Sequence, residues 1–233
     1  VPLLAKPEWP LLCYVTDRRS LPLSTSADAH RLLLDNVERT AAAGADWIQL
    51  REKDYCGKEW MDLVREALRR VSSTGSRTRI FVNDRMDVAL ACGAGGVHLS
   101  ESGIPVAEAC HLRSEFFSGR GENSNFLIGA SCHTMGSALG AERAGADYIY
   151  FSPIFKTPSK ANFGPPQGLE RLSQICQSVK IPVFAIGGVG AENAVSCLQA
   201  GAAGIGAIRL FQETAGLDEI LRTLHGLTPS QPA

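Results

Sequence analysis

The chain is 233 residues long, 45% hydrophobic and 20% charged, with a formal net charge of -1, which is enough apolar material for one full core and predicts a single domain. The near-neutral balance and the lack of any basic run exclude a phosphate-tracking nucleic-acid surface. No apolar stretch approaches a membrane span, and VPLLAKPEWPLL at the start has no basic segment leading into a long apolar run, so no membrane association and a cytoplasmic location are expected.

Residues 1–10 read as a loosely held extension. The first strand is expected at LLCYVT (11–16), followed by an amphipathic helix in HRLLLDNVERTAAA after Ala29. The second is DWIQLR (46–51), followed by the helical KEWMDLVREALRRVSS after Gly57. RIFVN (79–83) and GVHL (96–99) are the third and fourth strands, and the polar SGRGENSN (118–125) leads to the fifth, FLIGA (126–130). YIYFS (148–152) is the sixth, followed by the Pro/Gly loop KTPSKANFGPPQG (156–168), long enough to suggest a functional loop. PVFAIG (182–187) is the seventh, with helix-forming ENAVSCLQA after its glycines, and AGIGAI (203–208) is the eighth. Residues 228–233 read as a loose tail. All eight strands are short and apolar, as strands covered on both faces should be.

One phrase recurs about every fifty residues: AGADWIQL from Ala43, CGAGGVHL from Cys92, AGADYIYF from Ala144 and AGAAGIGA from Ala200. Each reads as a helix closing on a left-handed glycine (44, 93, 145, 201) and running straight into a strand. Two strand–helix units per interval make eight in all, which predicts a (β/α)8 barrel over residues 11–227, with its chemistry on the loops that follow the strands. The seven cysteines, at 13, 56, 92, 110, 132, 176 and 197, are scattered without a CxxC pair and read as reduced thiols. Cys132 is expected in the barrel wall and His98 as a packed or supporting histidine.

The strand ends carry a consistent chemistry. Gln49, Arg51 and Lys53 alternate along QLREKD and project to one side. Asn83 and Asp84 follow the third strand, Ser131 and His133 the fifth, Thr157, Ser159 and Lys160 the sixth, Gly187 and Gly188 the seventh, and Arg209 the eighth. Cations from separate loops with hydroxyls and an amide suit phosphate oxygens, and Asp84 can hold a bridging magnesium ion. The glycine pair before a helix start offers backbone N–H groups to a phosphate. A phosphorylated small molecule is the expected ligand.

The segments CYVTDRR, GADWIQLREKD, FVNDRMDVAL, GAGGVHL, IGASCHT, GADYIYFSPIFKTPSK, IPVFAIGGV and AGAAGIGAI, in this order, resemble the thiamine phosphate synthase and thiazole tautomerase superfamily. For a synthase the resemblance implies that a pyrimidine diphosphate loses pyrophosphate and is captured by the nitrogen of a thiazole phosphate. It implies Gln49 on the pyrimidine; Arg51, Lys53, Asn83, Ser131 and Lys160 on the diphosphate; and Asp84 on Mg2+. Thr157, Ser159, Gly187 and Gly188 would hold the thiazole and its phosphate. Two positions depart from the pattern: Gly103 stands where a second metal aspartate is usual, leaving Glu101 as its possible substitute, and Arg209 replaces a small serine. Two alternatives stay open at this point, a thiazole tautomerase using His133 as proton carrier and a non-catalytic thiazole phosphate binding protein. Small-molecule substrates and a possible homo-oligomer through the outer helices complete the expectation.

Overall fold

In a computed structural model, residues 7–21, 26–119, 125–157 and 165–227 are described. Eight parallel strands close a barrel in sequence order: β1 (Leu11–Val15), β2 (Trp47–Leu50), β3 (Arg79–Asn83), β4 (Gly96–Leu99), β5 (Leu127–Cys132), β6 (Tyr148–Phe151), β7 (Val183–Ile186) and β8 (Gly204–Ala207). Around them run α1 (Ser26–Ala42), α2 (Gly57–Ser73), α3 (Met86–Cys92), α4 (Val106–Phe117), α5 (Met135–Arg143), α6 (Gly168–Ser178), α7 (Ala194–Gln199), α8 (Arg209–Glu213) and α9 (Leu217–His225). Among the described residues no helix is long and apolar enough to cross a membrane.

All eight expected strands are present, with small shifts at their ends. β5 runs on to Cys132, past the expected residue 130, because Ser131 and Cys132 pair with Tyr150 and Phe151 of β6. The helix after the glycine pair begins only at Ala194: Gly190 N donates to Asn193 Oδ1 (2.9 Å) and Asn193 Nδ2 to Gly188 O (3.0 Å), so a turn comes first. Backbone N–H groups of a helix start therefore do not directly follow Gly188. The four repeat glycines adopt φ of +96°, +69°, +97° and +99°, as the repeat predicts.

Strand alternation sends one set of side chains outward to the helices and the other inward. Inside, Trp47, Phe81, Tyr148 and Phe184 pack ring against ring at centroid distances from 4.5 to 5.8 Å. Small neighbours make the room: a Cβ on Gly96 would stand 2.7 Å from the Phe81 ring, and one on Gly204 would stand 2.7 Å from the Phe184 ring. Two residues further along the same strands, on the same face, come Gln49, Asn83, His98 and Tyr150, so the aromatic plug forms the floor beneath the polar mouth.

Two of the four repeats carry an aspartate before the strand, and both use it alike. Asp46 Oδ2 accepts from Leu12 N of β1 (2.8 Å), and Asp147 Oδ2 accepts from Ile128 N of β5 (2.8 Å). Each carboxylate then meets a basic side chain from a helix, His225 of α9 on Asp46 and Arg113 of α4 on Asp147. The aspartates thus bind neighbouring strands together at the end of the barrel opposite the site.

Candidate active site

The loops after the strands enclose a cavity of about 880 Å³, large enough for two small substrates. Gln49, Arg51, Lys53, Asn83, Asp84, Glu101, Ser131, His133, Thr157, Gly187, Gly188 and Arg209 all line it. Ser159 and Lys160 lie outside the described residues.

The segment after β2 is held from beneath by a buried network. Thr16 Oγ1 accepts from Arg51 N (2.9 Å) and donates to Glu52 Oε1 (2.7 Å), while Arg18 pairs with both Glu52 and Asp54. Burial pushes the Glu52 carboxyl up, against the pull of Thr16 and Arg18. Arg18 holds the Asp54 carboxyl well below the usual carboxylate range. The acids of Arg-Glu-Lys-Asp therefore turn to Arg18, and among the described residues Arg51 and Lys53 have no ion-pair partner, which leaves their charges to the cavity. Nothing in the sequence pattern marks Arg18 for this role, because its partners are 34 and 36 residues away.

A second chain of bonds orients the amides. Asp84, in the left-handed region at φ +58°, receives Ser100 N on Oδ1 (2.7 Å) and Ser100 Oγ on Oδ2 (2.9 Å). A carboxylate can only accept, so Asn83 must present Nδ2 to Asp84 Oδ2 (2.7 Å) and its Oδ1 to Gln49 Nε2 (2.9 Å). Gln49 Oε1 is then a buried acceptor without a hydrogen-bond partner among the described residues. Such an atom costs stability until a donor arrives, and an amino group on a ligand ring would supply one.

Among the described residues no group of three or more His, Cys, Asp or Glu side chains is placed to hold a metal ion. Asp84 by itself fits one: three bonds leave one of a carboxylate's roughly four lone-pair sites open, and magnesium needs only one or two protein carboxylates when phosphate oxygens complete its shell. Gly103 lies against this carboxylate, where a Cβ would come 2.7 Å from Asp84 Oδ1. Glu101 lines the same cavity, with Oε2 3.9 Å from His133 Nε2.

His133 Nδ1 lies 2.6 Å from the Ser152 carbonyl oxygen, which can only accept, so Nδ1 carries the proton and Nε2 is the basic nitrogen of the neutral ring. Cys132 points away from the cavity into the wall, where burial pushes its thiol up to about 12, as expected of an unreactive core thiol. Gly187 and Gly188 take φ of +93° and +72°, and a Cβ on either would stand 2.8 Å from the segment after β6. They let that segment close onto β7, through Phe155 N to Gly187 O at 2.9 Å. Arg209 opens α8 and is exposed at the mouth, without a hydrogen-bond partner among the described residues.

Residues 21–211 match the thiamine monophosphate synthase family. The chain is 42% identical over 199 residues to a putative thiamine-phosphate synthase of Geobacter sulfurreducens, covering 85% of this chain and 88% of that protein. It is 38% identical over 221 residues to the thiamine-phosphate synthase of Chlorobium luteolum, covering 95% and 94%. Among solved structures, the thiamine phosphate pyrophosphorylase of Pyrococcus furiosus superposes with a TM-score of 0.73 at 31% identity, over 93% of this chain and 97% of that one.

Proposed function

Because the chain belongs to the thiamine monophosphate synthase family, we propose that its cavity joins hydroxymethylpyrimidine diphosphate to a thiazole phosphate and releases pyrophosphate. The bond from the pyrimidine methylene carbon to the diphosphate oxygen breaks, and its electron pair leaves with pyrophosphate. The thiazole nitrogen then gives its lone pair to the methylene carbon. Little proton chemistry is needed, so the protein's contribution is positioning and stabilisation of the leaving charge.

The observation that carries this reading is Gln49 Oε1, without a hydrogen-bond partner among the described residues, in the same cavity as Arg51 and Lys53, which have no ion-pair partner among them. One accepts from the pyrimidine amino group and the others bind the diphosphate, with Asn83, Ser131 and Lys160 assigned to the same oxygens. Asp84, with Glu101 of the loop after β4 as a second carboxylate, would hold Mg2+, which when bound neutralises diphosphate charge. Thr157, Ser159, Gly187, Gly188 and Arg209 are assigned to the thiazole phosphate, where the guanidinium supplies bidentate donors.

The test is pyrophosphate release from the two substrates, with and without magnesium, for the wild type and Asp84→Ala. Magnesium-dependent release that falls about a hundredfold or more in the variant supports the reading. Absence of release from the wild type overturns it. The basic Nε2 of His133 favours one second reading, proton transfer on a thiazole carboxylate phosphate. That activity would survive Asp84→Ala and vanish in His133→Ala.

A further inference from the structure

Just above the aromatic floor, in the layer of Gln49, Asn83 and Tyr150, lies a buried polar group that the reaction above does not use. His98 on β4 is 1% exposed. Its Nε2 stands 3.0 Å from Ser131 Oγ, its Nδ1 stands 3.4 Å from the Tyr148 hydroxyl, and its ring stacks on Tyr150 at 3.9 Å. Tyr150 is fixed in turn by Cys13 Sγ, 3.0 Å from its hydroxyl. The imidazole is therefore held in one plane, with one nitrogen aimed upward at a serine that lines the cavity.

We propose that His98 is a positioning residue for Ser131: its Nε2–H donates to Ser131 Oγ and so turns the hydroxyl proton of Ser131 towards the diphosphate. The inference rests on the synthase reading, in which Ser131 meets that group. The direction follows from donor strength. Burial keeps the Tyr148 phenol protonated far above its ordinary range, and a phenol O–H is a better donor to an imidazole nitrogen than the reverse. Nδ1 then accepts, and the proton of the neutral ring sits on Nε2. A serine hydroxyl has one proton and two acceptor sites; with an acceptor site occupied from below, its proton is left for an anion above. The effect is one hydrogen bond to a charged leaving group, about ten- to a hundredfold in rate.

The register explains how the pair is built. His98 stands opposite Gly129 on β5, with Ser131 two residues further up the same face. Gly129 lacks the Cβ that would collide with the Tyr148 ring, so the phenol reaches under the histidine.

A double-mutant cycle tests the proposal, with single-turnover rate, calorimetric pyrophosphate affinity and thermal midpoint as readouts. The variants are Ser131→Ala, His98→Asn, His98→Gln and His98→Asn/Ser131→Ala. A glutamine amide reaches the position of Nε2, whereas an asparagine amide stops near Nδ1; both keep the site polar. Expected is a loss of about ten- to a hundredfold in Ser131→Ala, a similar loss in His98→Asn, a markedly smaller one in His98→Gln, and no further loss in the double variant. Additive losses, or equal damage from asparagine and glutamine, overturn the proposal while leaving the synthase reading intact. If Ser131→Ala loses nothing in rate or pyrophosphate affinity, the contact between Ser131 and the diphosphate is wrong and the role of His98 falls with it.

Discussion

Replacing Gln49 by leucine keeps the bulk of the side chain but removes both the donor to Asn83 Oδ1 and the unpartnered Oε1. If Oε1 is the acceptor for the pyrimidine amino group, Gln49→Leu raises KM for the pyrimidine diphosphate by about 1–3 kcal/mol, or roughly five- to 150-fold. KM for the thiazole phosphate stays within a factor of a few, and steady-state kinetics with each substrate varied in turn separates the two. Arg18 is a different kind of residue. Arg18→Gln leaves Glu52 buried at 2% exposure without its cation, a loss on the order of 3–5 kcal/mol. Adding Glu52→Gln recovers much of that stability in urea titrations. Recovery of stability without recovery of turnover would show that Arg18 also sets the geometry of Arg51 and Lys53.

At the scale of elements, α5 sets two glycines in opposite roles. Gly140 sits inside the helix with nothing within 4 Å of where a Cβ would stand, whereas Gly145 follows the helix at φ +97° with Cys110 Sγ 3.2 Å from the corresponding position. Gly140→Ala should stabilise by about 0.5–1 kcal/mol, and Gly145→Ala should destabilise by about 1–2 kcal/mol. Urea midpoints of opposite sign check the pair; two changes of the same sign would contradict it. The same features explain what was legible in the chain. Left-handed glycines and doubly buried strands leave local marks, so all eight strands and the barrel could be read from spacing. The side-chain alternation of Gln49, Arg51 and Lys53 was equally local, and they do line one cavity. The supporting groups were not legible. Arg18, Ser100 and the Ser152 carbonyl act on Glu52, Asp84 and His133 across 34, 16 and 19 residues, and such pairings exist only after the barrel closes. The late start of α7 was hidden for the opposite reason: it depends on which of several competing turns Asn193 makes.

For the whole molecule, the buried thiols set an alkaline limit. Burial raises Cys13, Cys132 and Cys197 from an ordinary 9.0 to about 12. Between those values the unfolded chain has lost the thiol protons that the folded chain keeps. The unfolded state therefore binds fewer protons, and stability falls as pH rises from about 9 towards 12. It is fully present below pH 9 as far as these groups are concerned. The urea midpoint should be lower at about pH 10.5 than at about pH 8, and Cys132→Ala, although less stable at the lower pH, should show a shallower fall. An unchanged slope in that variant would remove Cys132 from the account.

Asp46 with Leu12 and His225, and Asp147 with Ile128 and Arg113, are the same three-part device placed four strands apart. The barrel thus has an approximate twofold axis written into its bonding, with β1–α4 and β5–α9 as equivalent halves. In the first clamp the basic partner comes from the last helix, so the joint that closes the circle repeats the joint at its midpoint. Such a molecule has no privileged beginning. Chains cut between the halves, after Gly119, should reassemble when expressed together. Recovery of native thermal unfolding from the mixed fragments would show that the circle is held by its two matching joints and not by the peptide bond that runs between the halves.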